Sequence, residues 1–207
     1  MPANKRRFQR PLGERSYRKV FVIAVEGDKT EPQYFSIFDN QQSVLRVKCL
    51  KGKNRSSPPQ VLKRMNEFLK KSSLKKSDEA WLVVDKDQWT DEQLTQLHAW
   101  SKTADNFGFA LSNPKFEYWL LLHFEDGNNI ASSRDCSDRL KRHLPNYDKS
   151  IDSRKFTRGK VDDTIRRAKI RDNPPCENWA IKIGKTTVYK LVENILRESA
   201  ENLPERN

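Results

Sequence analysis

Apolar residues fall in short dense runs separated by longer amphipathic stretches. Residues 20–25 (VFVIAV) and 81–84 (WLVV) show no alternation of apolar and polar positions. Runs of that length predict strands buried on both faces, as in a parallel sheet. Residues 44–50 alternate instead, with Arg46 and Lys48 between apolar neighbours. That pattern predicts a strand near the sheet edge, where basic side chains reach water. Residues 106–112 form a fourth short candidate. Between the strands lie helical patterns at 32–39, 58–73 and 90–102. In the second, Val61, Leu62, Met65, Phe68 and Leu69 keep helical spacing. In the third, Thr90 and Gln93 have the spacing of a capping box. Asn113 and Pro114 suit the cap and first turn of a further helix. Strands alternating with helices predict an α/β fold, with a Rossmann-like, mainly parallel sheet of about four strands flanked by helices.

Beyond Gly127 the composition turns polar and basic. Residues 132–144, 162–170 and 186–199 read as helices, the last with an apolar face of Val188, Leu191, Val192, Ile195 and Leu196. The intervening stretch 145–160 reads as loop. Tyr147 stands there among several cations, a combination suited to single-stranded nucleic acid. The expected organisation is a basic arm at 1–18, an α/β domain at 19–127 and a helical extension at 128–207.

Charge sharpens this picture. The 207 residues hold 40 Lys or Arg against 28 Asp or Glu, a formal net charge of +12. Residues 1–19 alone contribute seven cations and one acid. The surplus favours a polyanionic partner, nucleic acid before anionic membrane. No apolar run approaches membrane-spanning length, and the N-terminus lacks a signal-peptide core. A cytoplasmic location is expected, with no membrane partner. Cys49, Cys136 and Cys176 are odd in number and widely spaced, so reduced thiols are expected rather than disulfides or a zinc site.

Candidate chemistry lies where the buried runs end. The first ends in Glu26-Gly27 and the second in Asp85-Lys86-Asp87. Ligands of open α/β sheets collect at the carboxyl ends of strands. Asp85 and Asp87, two apart on an extended chain, point to the same side, and Lys86 points away. On neighbouring strands, Glu26, Asp85 and Asp87 converge as three hard oxygen donors suited to Mg²⁺ or Mn²⁺. Acids also stand commonly where strands meet loops, and either motif alone would carry that plainer meaning. Glu31, one helical turn beyond the glycine, is placed to hold a second ion or orient a ligand. Glu117 falls in the first turn of a helix, where the helix dipole alone would favour a carboxylate.

A strand ending in Glu-Gly and a later strand ending in Asp-x-Asp resemble the Toprim domain of topoisomerases, bacterial primases and OLD-family nucleases. The segment Val25-Glu26-Gly27-x-x-Thr30-Glu31 is especially similar to the OLD form. The block from Asn113 through Lys115, Glu117 and His123 to Phe124 resembles RloB-like proteins, a Toprim-bearing family of bacterial restriction and abortive-infection loci. The resemblance implies a metal-dependent nuclease in defence against phage, with Glu26, Asp85 and Asp87 catalytic. Metal ligands would be Glu26, Glu31, Asp85, Asp87 and Glu117. It also implies a separate ATPase partner, since this chain has no nucleotide-binding motif. Lys29, Lys51, Lys53, Arg55, Lys86, Lys115 and Arg158 are candidate nucleic-acid contacts. The alternative is a non-catalytic, basic nucleic-acid-binding module of a defence complex.

Overall fold

In the computed structural model, residues 19–39, 45–52, 57–86, 89–148 and 150–201 are described. Four strands form a parallel sheet: β1 (Lys19–Val25), β2 (Leu45–Leu50), β3 (Glu79–Asp85) and β4 (Phe107–Asn113). A fifth, β5 (Lys185–Thr186), joins antiparallel to β4, giving the order β2-β1-β3-β4-β5. The helices are α1 (Thr30–Ser36), α2 (Pro58–Lys71), α3 (Asp91–Ser101), α4 (Phe116–Leu121), α5 (Ser133–His143), α6 (Arg158–Arg171) and α7 (Val188–Glu201). The fold is therefore α/β, with helices on both faces of a mostly parallel sheet and a helix at its C-terminal end.

Burial on both faces explains why the strand runs carry no polar alternation. Phe21, Ile23, Val25, Trp81 and Val83 belong to one core, shared with α1, α4, α5, α6 and α7. Val22, Ala24, Leu82 and Val84 belong to the other, where Val61 and Met65 of α2 and Leu94 and Leu97 of α3 pack. α4 is buried at every position. The edge strand β2 alternates, with Leu45 and Val47 inside and Arg46 and Lys48 outside.

Three features differ from the sequence reading. α4 begins at Phe116 with Lys115 as cap residue, since Asn113 still belongs to β4 and pairs with Lys185. Its side-chain amide donates to the carbonyl of Ile181, 2.9 Å away. α1 begins at Thr30, two residues before the helical pattern at 32–39, and Lys29 is its cap residue. The third difference is β5, which the sequence did not suggest. Gly184, at φ +75°, precedes it, and its N–H donates to the carbonyl of Asn113 at 2.8 Å. Through β5 and α7 the C-terminal third enters the core shared with β1 and β3. No helix among the described residues is long and apolar enough to cross a membrane.

Candidate functional site

The order β1-β3-β4 sets three strand ends side by side: Glu26 follows β1, Asp85 ends β3, and Glu117 lies four residues past β4. Val25 is level with Val83, and Asp85 is level with Ser112. Glu26 therefore follows β1 just beside the last residues of β3. Its Oε2 lies 3.4 Å from the backbone nitrogen of Asp85. Oδ1 of Asp85 accepts from the backbone N–H of Phe116 at 2.8 Å, which fixes the start of α4 against the end of β3. Glu117 thereby stands one residue beyond a direct contact of Asp85.

Glu31 reaches the same edge from α1. Its Oε1 accepts from the N–H of Gly27 at 2.9 Å. A Cβ at Gly27 would lie 2.3 Å from Oε2 of Glu31. Gly27 is needed for this close approach, and its φ is not among the positive ones. Glu31 and Glu117 are both buried, though charged side chains seldom are without partners.

A tyrosine links the two helices. The Tyr147 hydroxyl donates to Oε1 of Glu117 at 3.0 Å and lies 3.1 Å from Oγ1 of Thr30. Burial raises its pKa, and the charge of Glu117 raises it further. In the sequence Tyr147 stands among cations, a combination suited to single-stranded nucleic acid; in the structure its hydroxyl contacts the acidic edge. The contact spans 30 residues from Glu117, so nothing in the local pattern signals it. Arg64 is a second residue that the sequence reading missed. It donates from α2 to the carbonyl of Val25, and burial lowers its pKa while Glu26 opposes that shift. Cys136 also senses the cluster. Its pKa is pushed up to about 12 by burial first and by Glu117 next, with Asp85 adding to the effect.

Asp87, Lys53, Arg55 and the arm at 1–18 lie outside the described residues. The third carboxylate of the expected trio is thus not among the described ones. Among the described residues, no group of three or more His, Cys, Asp or Glu is arranged to hold a metal ion. What is present is a pair, Glu26 and Asp85, flanked by Glu31 and Glu117. Carboxylate oxygens are the donors that Mg²⁺ prefers, and it commonly takes one or two carboxylates with water and phosphate. The chemistry of the edge fits that ion in donor type, with a pair in place of a complete ligand set.

The candidate cations are dispersed. Lys29 and Lys51 are exposed near the acidic edge. Lys86 is turned toward the segment before β5, with Nζ 3.3 Å from the carbonyl of Ile181 and 5.5 Å from the Trp179 ring. Lys115 donates to Oγ of Ser137 at 2.6 Å. Arg158 is exposed on α6 and pairs with Asp162 at 3.2 Å. His123 is a core residue: its Nε2 lies 3.2 Å from the Tyr34 hydroxyl and its Nδ1 3.1 Å from the Trp119 carbonyl.

A family model described as RloB-like protein matches residues 21–195, from β1 into α7. The chain belongs to the RloB-like family. The match takes in both the acid-bearing strand ends and the C-terminal third that supplies Tyr147 and β5. No curated protein and no solved structure matches this RloB-like chain.

Proposed function

We propose that this RloB-like protein is a metal-dependent nuclease that hydrolyses phosphodiester bonds in DNA or RNA. The observation that carries the reading is the meeting of Glu26 and Asp85 at the carboxyl ends of adjacent parallel strands, 3.4 Å apart from carboxylate oxygen to backbone nitrogen. The contact anchors the Glu26 carboxylate at the end of the strand that carries Asp85, and a divalent cation would take carboxylate oxygens of this kind together with water and phosphate. The Toprim resemblance of the same strand ends supports the reading, and so does the formal charge of +12.

Glu26, Asp85 and Asp87 would hold Mg²⁺ or Mn²⁺, with Glu31 and Glu117 beside them. When bound, the ion supplies Lewis-acid stabilisation of phosphate charge and a water of lowered pKa. The chain's own residues set the geometry. Phe116 N–H orients the Asp85 carboxylate, and Gly27 N–H orients Glu31. Tyr147 holds Glu117 against α1. Glu26 is the candidate general base. Lys29 and Lys51, exposed near this edge, would contact the phosphates that flank the scissile one. The reading extends to a role in defence against phage and to a separate ATPase partner, both from the family resemblance, and to the cytoplasmic location expected from the sequence.

The test is incubation of purified protein with single- and double-stranded DNA and RNA, with Mg²⁺, Mn²⁺ or EDTA. The expected outcome is cleavage that disappears with EDTA and falls at least 100-fold, about 2.7 kcal/mol, in Asp85→Asn. Binding that persists in Asp85→Asn with no cleavage under any metal supports the non-catalytic module instead.

A further inference from the structure

The face of the sheet that carries α2 and α3 is not evenly covered. α2 crosses β1 and β3, while β2 lies at the margin. Between β2 and the C-terminal end of α2 runs a groove of about 600 Å³. Val20 and Val22 form its floor, Arg46 and Lys48 one wall, and Phe68, Ser72, Ser73 and Leu74 the other. Lys48 leans into it, with Nζ 4.5 Å from the Phe68 ring centroid.

The rim is cationic. Arg46 and Lys48 are exposed on β2, and Lys70, Lys71, Lys75 and Lys76 are exposed where α2 ends. Two acids line the groove, and each is engaged by backbone. Asp39 accepts from Val47 N–H at 3.4 Å; Asp78 is buried and accepts from Val20 at 2.9 Å and Lys75 at 2.8 Å. Both carboxylates keep their charge and balance Arg46 and Lys48 within the lining, so the positive surplus beside the groove comes from the four lysines where α2 ends. Arg46 and Lys48 are about 6.6 Å apart along the strand, with Lys51 continuing the row beyond its end. The row runs parallel to β1, toward the carboxyl edge that holds Glu26.

We propose that this groove binds the backbone of a single-stranded nucleic acid and leads it along β2 toward the acidic edge. Charge complementarity identifies the occupant. Spaced cations over a partly apolar floor, with serine hydroxyls on one wall, suit phosphates on the rim and sugar or base faces below. The surface is separate from the carboxylates, and its binding requires no metal, so the proposal goes beyond the nuclease reading and can fail independently of it.

The experiment measures fluorescence anisotropy of labelled single-stranded DNA and RNA 20-mers on the full chain in EDTA. Arg46→Glu/Lys48→Glu is expected to weaken binding at least tenfold. Lys102→Glu/Lys141→Glu, with the same charge change on exposed positions outside the groove, should stay within about twofold. The milder Arg46→Gln/Lys48→Gln should lower the slope of log K against log salt by about 1.4, the value for two phosphate contacts on a single strand. Far-UV circular dichroism and melting curves confirm that each variant is folded. Equal weakening in the groove and control pairs overturns the proposal, as does full binding by the groove variants. Wild-type protein that binds phosphatidylserine vesicles and neither nucleic acid also overturns it.

Discussion

A methyl group added at Gly27 would sit 2.3 Å from the carboxylate of Glu31. The side chain would have to leave the Gly27 N–H that it accepts from. Gly27→Ala should therefore cost about 1–3 kcal/mol, the usual penalty for disrupting a buried hydrogen bond to a charged group. Urea denaturation measures it, and an unchanged midpoint would show that Glu31 moves at no cost. His123 gives a pH prediction. Burial lowers its pKa from 6.5 to about 3. The unfolded chain therefore takes up a proton near pH 6.5 that the folded chain refuses until about pH 3. Stability is full above 6.5 and falls as pH drops through that window. Between pH 6.5 and 5 the loss from this group is about 1.7 kcal/mol. Denaturation at the two pH values should show a smaller drop for His123→Gln than for the wild-type chain. Identical drops would mean that the imidazole is protonated inside the fold. Single residues were also where sequence reading was weakest. Tyr147 and Arg64 meet the acidic edge from distant elements, and their neighbours in sequence gave no sign of it. Glu26 and Asp85 were legible because each ends an apolar run.

Elements were legible where burial imposed a pattern. β1 and β3 read as doubly buried strands because both faces carry helices, and α2 and α3 announced themselves by helical spacing and by the Thr90 capping box. β5 was illegible because two residues, Lys185 and Thr186, cannot show a period. Its pairing is set by the tertiary contact of Thr186 with Ser112, whose hydroxyls lie 2.8 Å apart. The start of α4 was misplaced for a related reason: Asn113 has the chemistry of a cap, but pairing with β5 keeps it in the strand. α7 follows β5 and packs Val188, Leu191, Val192 and Ile195 into the same core as β1. Leu191→Ala should thus cost about 2–5 kcal/mol, the range for truncating a fully buried leucine. Tryptophan fluorescence and far-UV circular dichroism should report one coincident transition, shifted to lower denaturant. Two separated transitions would mean that the C-terminal third unfolds by itself.

At the scale of the whole molecule, an acidic edge and a row of exposed cations occupy different parts of the sheet. Glu26, Asp85, Glu31 and Glu117 gather around the carboxyl ends of β1, β3 and β4, and a cationic rim follows the margin at β2. The net charge of +12 favours a polyanionic partner without placing it, and only the strand order shows that the basic row runs toward the acids. The central claim is that Glu26 and Asp85 share a divalent cation. Calorimetric titration of Mn²⁺ into the purified chain tests it most directly, because it needs neither substrate nor partner. The account predicts saturable binding that Glu26→Gln and Asp85→Asn each weaken at least tenfold. Wild-type protein that binds no Mn²⁺, or variants that bind it as tightly as the wild type, would contradict it.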